Sequence, residues 1–389
     1  MVTYLDHAAT APLRPEARVA MVDQLGRPGG NPTGAHALAR ASRQVVDEAR
    51  DVVATCLGCR PSEVVFTSGG TEADNLAVSG TVAAAGGIPV CSAVEHHAVL
   101  HPVWALGGRT APVSADGTVD LEGLAEVLQS CPQPVALVSV MLVNNETGVI
   151  QPLAAVADVV ARHAPRAVLH TDAVQAVPWL DAASTSPARL VSVSAHKLGG
   201  PQGVGALMVR EGTSLRPQQL GGGQERERRS GTHDVAGIAG FAAALAATVA
   251  ERADTVARVA RLRDRLADGL LASVPDTRET GRRAGKVAGS CHLLFDRVES
   301  EALLVLLDQQ GVCAAAASSC ASGALEPSHV LAAMGVSRAA AKGSLRLSLG
   351  ATTTGADVDH ALAVVPAAVA RLRERDPLVP RPVPVGGAT

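Results

Sequence analysis

The stretch SVSAHKLGGPQGVGALMV, residues 192–209, places one lysine between an alternating run of small and apolar residues and a cluster of glycines. The glycines lead into a second strand-like run and not into a helix, so the dinucleotide-binding fingerprint is absent. A lysine at the end of a buried strand is costly, because desolvation disfavours its charged form. Lys197 is therefore either a side chain that reaches solvent from a strand end or an amine kept neutral to form a Schiff base.

Apolar strand-like runs alternate with helical patterns over the first 210 residues. This alternation predicts an α/β protein with a largely parallel sheet, in which ligands bind outside the carboxyl ends of the strands. The predicted strands are EVVFTS (63–68), IPVCSAV (88–94), VALVSVML (135–142), AVLHTDAV (167–174), RLVSVSAH (189–196) and GALMVR (205–210).

The chain has 389 residues, which is long for one hydrophobic core, so two domains are expected. A long helical stretch, 241–274, is followed by a loop over 278–289 and by a smaller α+β pattern with strands SCHLLFDRV and SLRLSLG. We predict a large domain over 14–255, a small domain formed by 1–13 and 256–376, and a flexible Pro/Gly tail over 377–389.

The charge balance favours small-molecule chemistry. With 34 Lys and Arg against 37 Asp and Glu, the net charge of −3 gives no electrostatic footprint for nucleic acid or an anionic membrane. The N-terminus lacks the pattern of a signal peptide, and the apolar run 235–250 is short for a membrane span. We expect a cytoplasmic protein that binds neither nucleic acid nor membrane, with 235–250 as a packed helix.

The seven cysteines are an odd number, which suggests free thiols in a reducing compartment. Cys56 and Cys59 form a CxxC pair, but no second pair or spaced histidines accompany it. Because Gly58 can end the preceding helix, we expect a helix-end turn and no metal site there.

Polar groups follow five of the predicted strands. The first group, Thr67–Thr71, precedes a helix that we expect Thr71 to cap, with Asp74 three residues on. Free N–H groups at such a helix start bind phosphate. The other groups are Glu95–His97, Asn144–Gly148, His170–Gln175 and Ser194–Lys197. Each alone also fits a plain structural role, as a glycine turn, a satisfied histidine or an Asn-Gly turn.

Together these groups meet the needs of pyridoxal 5'-phosphate. The helix start would hold its phosphate, and the amine of Lys197 would form the Schiff base. The carboxylate of Asp172 is expensive to bury without a cation. It would pair with the pyridine nitrogen and keep the ring an electron sink.

At this point the residues resemble a family. Over nearly its whole length the chain is similar to the cysteine desulfurases, fold-type I pyridoxal-phosphate enzymes of the class V aminotransferase group. The resemblance implies a homodimer whose large domain has a mainly parallel seven-stranded sheet. The matching motifs are YLDHAAT (4–10), GNPTGAH (30–36), VVFTSGGTEADNLA (64–77), EHHAVL (95–100), VNNETG (143–148), TDAVQA (171–176), SAHKLGGPQGVGAL (194–207), GGGQERERRSGT (221–232) and the SSCASGALEPSHVL segment.

The resemblance also implies roles for single residues. The positions implied to bind the cofactor are Gly70, Thr71, His96, Asn145, Asp172, Gln175, Ser194, His196, Lys197 and, from the other subunit, Thr232. His96 would stack on the ring and assist proton transfers. The substrate carboxylate would be held by Asn31 and Arg346, with Asn145 nearby.

Cys320 could be a small buried residue, as free cysteines usually are, but its small polar neighbours favour exposure. The resemblance makes it the sulfur-accepting cysteine, in the subgroup with an extended cysteine loop. The implied reaction removes sulfur from L-cysteine, giving L-alanine and a persulfide on Cys320. A sulfur-acceptor protein would then receive the sulfur for iron–sulfur cluster assembly or for thiolation of tRNA, DNA or cofactors.

Other functions remain open at this level. Another fold-type I pyridoxal-phosphate enzyme, such as a selenocysteine lyase, a β-eliminating C–S lyase or an aminotransferase, would not need Cys320. A non-catalytic scaffold would not need Lys197. The charged run Glu225–Arg229 is expected to be a subunit-facing or solvated loop.

Overall fold

The computed structural model describes residues 2–316 and 328–374. The strands in these ranges are short and mostly buried. They are β1 (Thr3–Tyr4), β2 (Val64–Thr67), β3 (Ile88–Ser92), β4 (Arg109–Ala111), β5 (Val135–Ser139), β6 (Val168–Asp172), β7 (Leu190–Ser194), β8 (Gly205–Val209), β9 (Thr277–Glu279), β10 (Ser290–Phe295), β11 (Val312–Cys313) and β12 (Ser344–Ser348).

Helices separate most of these strands. They are α1 (Pro15–Leu25), α2 (Ala37–Leu57), α3 (Gly70–Ala85), α4 (His97–Ala105), α5 (Leu121–Gln129), α6 (Leu153–His163), α7 (Val235–Ser273), α8 (Ser300–Gln309), α9 (His329–Ala333), α10 (Arg338–Ala341) and α11 (Gly355–Arg373).

The largest sheet has seven strands in the order β2-β8-β7-β6-β5-β3-β4. Strands β3 to β7 pair in parallel, and β8 is antiparallel to both of its neighbours. The mainly parallel seven-stranded sheet implied by the resemblance is therefore confirmed. The edge strand β4 has no counterpart among the predicted strands, because its three residues include an exposed Arg109 and show no apolar pattern.

A second, smaller set of strands lies beyond α7. Strands β12, β10 and β9 form an antiparallel sheet, and β1 pairs in parallel with β11. The loop expected at 278–289 is partly wrong, because Thr277–Glu279 pairs with β10 as an edge strand. One large apolar cluster of the described residues packs against the seven-stranded sheet, and another packs around the three-stranded sheet. The exact domain boundaries given above remain a prediction.

Helix α7 belongs to both cores. Ile238, Phe241 and Leu245 from its first half pack in the core of the large sheet, whereas Leu266 and Leu270 pack in the second core. Within the described ranges α7 is the helix that could cross a membrane by length and composition. Its apolar run 235–250 nevertheless packs inside the protein, as the sequence predicts.

Gly58 ends α2 with a φ of +64°, a left-handed conformation that favours glycine. The predicted helix-end turn at Cys56–Cys59 is confirmed. The thiol of Cys59 lies just beyond the helix, and burial raises its pKa to about 11.

Candidate active site

Lys197 lies in a short turn directly after β7, where its ammonium group contacts the N-terminal segment. Its Nζ donates hydrogen bonds to the carbonyl oxygens of Ala8 and Ala9, at 2.6 and 2.9 Å. Its charge also acts on His96 and Asp172 by lowering the pKa of each. The structure therefore brings together the predicted amine, imidazole and carboxylate.

Asp172 is the last residue of β6 and is only 5% exposed. Its Oδ1 accepts a hydrogen bond from the N–H of Val174 at 2.8 Å. Burial raises the pKa of this carboxyl group to about 6, against the opposing effects of the Val174 N–H and of Lys197. A second cation beside Asp172 would stabilise its charged form, which suits a protonated ring nitrogen.

His96 caps helix α4. Its Nδ1 accepts a hydrogen bond from the N–H of Ala98 at 3.1 Å, which assigns the proton of the neutral ring to Nε2. Burial, followed by the charge of Lys197, lowers the pKa of His96 to about 4. The ring is therefore uncharged at neutral pH.

The start of α3 is built differently from the prediction. Thr71 caps nothing, because the helix begins at Gly70 and its N-cap is Gly69, with a φ of +149° that only glycine adopts readily. The first N–H groups of α3 thus have no intrahelical acceptor and no side-chain cap. A Cβ on Gly70 would lie 2.7 Å from Cγ2 of Val174, so this close approach needs glycine.

An open depression of about 450 Å³ lies over this helix start. Ser194 and His196 line it together with Thr10, and Nδ1 of His196 lies 3.3 Å from the hydroxyl of Thr10. Backbone N–H groups at a helix start, together with a hydroxyl and an imidazole, are suited to a phosphate group. The residues present therefore fit the phosphate of the cofactor expected from the sequence.

A second cavity, of about 340 Å³, adjoins Lys197. Asn145 and Gln175 line its wall, and Nε2 of Gln175 donates to the carbonyl oxygen of Ala8 at 2.6 Å. Lys197 and Gln175 thus share one acceptor on the N-terminal segment. Both predicted amides thus line the same cavity as Lys197.

Arg346, in β12, is a buried cation next to the turn that carries Asn145. It is 3% exposed, and it donates to Oδ1 of Asp6 at 2.9 Å and to the carbonyl oxygen of Asn145 at 3.1 Å. Its Nε is buried without a hydrogen-bond partner among the described residues. This buried N–H is therefore available to a hydrogen-bond acceptor that the described residues do not supply.

Three of the predicted residues are not joined to this cluster. Asn31 is exposed, and its side chain accepts hydrogen bonds from Thr33 in its own loop. Thr232 is exposed on the segment before α7. Cys320 lies outside the described residues.

A buried polar network behind Asp172 was not identified from the sequence. His170 lies between the hydroxyls of Ser139 and Ser192, at 2.8 and 3.0 Å, and its Nε2 is 3.6 Å from Oδ1 of Asp74. Glu95 is fully buried, and burial raises its pKa to about 8. The sequence signal that could have indicated this network is the presence of titratable residues within and directly after apolar strands, such as His170 in β6 and Glu95 after β3.

The expectation for Glu225–Arg229 is wrong at Glu225. Its carboxylate is 5% exposed and forms two hydrogen bonds with Arg50, at 2.6 and 2.8 Å. It also accepts from the N–H of Phe66 and from Nε2 of His233, at 2.8 and 2.6 Å. The alternating charges of residues 225–229 do not reveal that the first of them, Glu225, is buried and paired with Arg50, which is 175 positions away in the chain.

Known proteins are similar to this chain in sequence and in fold. Residues 3–361 match the model of the family described as Aminotransferase class-V. An IscS-like cysteine desulfurase of Mycobacterium tuberculosis is 46% identical over 386 residues, which cover 96% of this chain and 97% of that protein.

Solved structures agree with the sequence match. A NifS-like protein superposes with a TM-score of 0.87 at 30% identity, covering 95% of this chain and 100% of that one. The structure of SspA in complex with cysteine superposes with a TM-score of 0.76 at 27% identity, covering 90% of this chain and 100% of that one. Each of the two superpositions therefore covers at least 90% of this chain.

Proposed function

We infer, since the chain belongs to the aminotransferase class-V family, that it is a cysteine desulfurase, which converts L-cysteine to L-alanine and retains the sulfur. The observation that carries this inference is the site itself. A buried carboxylate, Asp172, lies within electrostatic reach of the amine of Lys197, beside a helix start with no side-chain cap.

Pyridoxal 5'-phosphate is the cofactor that these residues suit. Gly70, Thr71, Ser194 and His196 would hold its phosphate, Asp172 its ring nitrogen, and Lys197 its aldehyde carbon. His96, Asn145 and Gln175 would contact the ring and its hydroxyl group. When bound, this cofactor supplies an electron sink for the charge that develops as bonds of the amino acid break.

Arg346 is proposed to bind the carboxylate of L-cysteine. Its unpaired Nε supplies a donor in a buried setting, where an ionic hydrogen bond is strong. Asp6 and the carbonyl oxygen of Asn145 hold the remaining guanidinium nitrogens and so orient the group. Asn31 and Asn145 are proposed as further contacts of the substrate.

Cys320 is proposed as the sulfur acceptor. The reaction balances without an external oxidant: the C–S bond of L-cysteine breaks, an S–S bond forms with the thiol sulfur of Cys320, and the carbon that loses sulfur gains a proton. The attacking form is the thiolate. His96 carries its proton at Nε2 and is placed near Lys197, so we assign it to the proton transfers.

A homodimer is proposed because large apolar side chains are exposed on the surface of the subunit. Large apolar side chains are exposed on α1 and next to the segment that carries Thr232. They are Val19 (66%), Val22 (63%), Leu25 (72%) and Leu220 (84%). Thr232, exposed in this subunit, would then complete the phosphate site of the other subunit.

The persulfide would be delivered in the cytoplasm to a sulfur-acceptor protein. Iron–sulfur cluster assembly and thiolation of tRNA, DNA or cofactors are the destinations that share this chemistry.

Intact-protein mass spectrometry after adding L-cysteine without a reductant tests the proposal. We expect the wild-type chain to gain the mass of one sulfur atom on Cys320, and we expect no gain in Lys197→Ala or Cys320→Ala. The proposal fails if the wild-type chain gains no sulfur, or if Cys320→Ala gains as much as the wild-type chain.

A further inference from the structure

The turn at residues 144–148 is fixed from within by Asn144. Its Oδ1 accepts hydrogen bonds from the N–H groups of Glu146 and Thr147, at 3.0 and 2.9 Å. Its Nδ2 donates to the carbonyl oxygen of Val94 at 3.0 Å. The backbone of Glu146 is therefore held against the ends of two strands of the large sheet.

The side chain of Glu146 is directed to α9. It is 5% exposed, and its Oε2 accepts a hydrogen bond from the hydroxyl of Ser328. The oxygen of Ser328 accepts in turn from the N–H of Leu331 at 3.1 Å, as the N-cap of α9. A hydroxyl has one proton, so while its oxygen caps the helix its proton is available to Glu146.

Ser328 is the first described residue after 317–327, the segment that contains Cys320. The next residue is held as well, because Nε2 of His329 lies 2.9 Å from the carbonyl oxygen of Glu95. The ring of His329 also packs 4.6 Å from that of His97. Two consecutive residues after the segment are thus held in place. Ser328 contacts Glu146 in the turn, and His329 contacts Glu95, just after β3.

The chain before residues 317–327 is also connected to the turn at residues 144–148, through Arg346. Ala315 pairs with Arg346 through two backbone hydrogen bonds, of 2.7 and 3.2 Å. Arg346 in turn donates from Nη1 to the carbonyl oxygen of Asn145. Both flanks of 317–327 therefore meet the unit formed by Arg346 and the turn that carries Glu146.

We propose that Glu146 is a positioning residue for sulfur transfer: it fixes Ser328, where the described chain resumes after the segment with Cys320, relative to Arg346, the proposed substrate-binding residue. The inference rests on the proposed function. A displaced nucleophile reacts slowly, since a misplacement of about 1 Å can cost on the order of a hundredfold in rate. A buried carboxyl group is a poor choice for stability alone, because apolar residues of similar volume often stabilise as well or better.

Matched variants separate positioning from folding. Glu146→Leu removes the acceptor of the hydrogen bond, and Ser328→Ala removes its donor. Glu146→Gln keeps an acceptor, and Ser328→Thr keeps the hydroxyl. Ser337→Ala is the control, because Ser337 caps the short helix α10 through the N–H of Ala340 in the same way but is exposed.

The measurement is the single-turnover rate of persulfide formation on Cys320 in the cofactor-loaded enzyme, followed by mass spectrometry. The absorption change of the bound cofactor on adding L-cysteine and the thermal midpoint are recorded alongside it. We expect Glu146→Leu and Ser328→Ala to lower the persulfide rate about tenfold to a hundredfold. The absorption change and its half-saturation should stay as in the wild type, and Ser328→Thr, Glu146→Gln and Ser337→Ala should keep the wild-type rate.

The possible failures are distinct. If the wild-type chain forms no persulfide, the proposed function falls and this inference falls with it. If the wild type forms it and Ser328→Ala does so at the same rate, only the inference is wrong. A parallel loss of persulfide rate, absorption change and thermal midpoint would show a purely structural role and would also overturn the inference.

Discussion

Nζ of Lys197 donates a hydrogen bond to the carbonyl oxygen of Ala8 at 2.6 Å. The two residues are 189 positions apart in the chain, and their contact holds the amine near Asp172. The N-terminal segment is therefore part of the site, which explains why the motif YLDHAAT belongs with the lysine motif.

Lys197→Ala and Cys320→Ala should separate cofactor attachment from sulfur transfer. We expect Lys197→Ala to lose the visible absorption of the lysine-bound cofactor and all turnover, because the attaching amine is gone. Cys320→Ala should keep the absorption spectrum and lose sulfur transfer. Absorption spectra of the purified proteins, with alanine quantified after adding L-cysteine and a thiol, check both. Wild-type turnover by Cys320→Ala in the presence of the thiol would contradict the assignment of the nucleophile.

Glu95 should make the fold less stable as the pH rises. Burial raises its pKa to about 8 from an ordinary 4.5, so its contribution is fully present below pH 4.5 and is lost as the pH rises through 8. The loss is at most about 1.4 kcal/mol per pH unit. The free energy of unfolding in urea should be measured for the wild type and for Glu95→Gln at pH 6 and at pH 8. Relative to the wild type, the variant should be more stable at pH 8 than at pH 6.

Glu48→Gln, at an exposed carboxylate of α2, is the control for this measurement and should leave the pH dependence of the wild type unchanged. The same pH dependence in the wild type and in Glu95→Gln would refute the assignment to Glu95.

Glu225→Gln should destabilise the protein strongly. The carboxylate is buried by Arg50, and breaking such a pair costs about 3–5 kcal/mol. The pKa of Glu225 is lowered to about 2 although burial alone would raise it, since Arg50, His233 and the N–H of Phe66 hold the charged form. Its contribution is therefore present above pH 4.5 and is lost as the pH falls toward 2.

Urea unfolding at pH 7 and at pH 3, at one protein concentration, measures this effect. The destabilisation should be large at pH 7 and smaller at pH 3, and Glu227→Gln, at an exposed carboxylate two residues away, should have little effect. Equal effects of the two substitutions at pH 7 would show that the buried ion pair contributes nothing specific.

Cys320 should be alkylated before the buried cysteines. Burial raises the pKa of Cys59 to about 11 and that of Cys291 to about 12, and it raises the pKa of Cys91 well above its usual value. Because the thiolate is the reactive form, these thiols should react slowly at pH 8. Limited treatment with iodoacetamide and peptide mass spectrometry should find Cys320 labelled first. Earlier labelling of Cys91 or Cys291 would contradict the buried placement of these thiols.

The sequence was sufficient for six of the seven strands of the large sheet because strands buried on both faces leave continuous apolar runs. It also located Asp172 and Lys197, since each is a polar residue that follows such a run. It missed the edge strand β4, which has no such run. The predicted cap at Thr71 failed because the N-cap is Gly69, so the helix starts two residues earlier than the side-chain pattern suggests.

Contacts between residues that are far apart in the chain could not be predicted from the sequence. Glu225 has the same local appearance as a solvated charge, and only the fold brings Arg50 to it. Glu146 stands next to Asn145 in a polar turn, and its contact with Ser328 joins residues 182 positions apart. Local patterns report on periodicity and turns, whereas these contacts depend on how the two cores are joined.

The most direct test of the account is product analysis after incubating the purified protein with L-cysteine and a thiol reductant, with sulfide, alanine and pyruvate quantified in one sample. The account predicts alanine and sulfide in equal amounts without pyruvate. Pyruvate in place of alanine would mean β-elimination, and that result would contradict the proposed desulfurase.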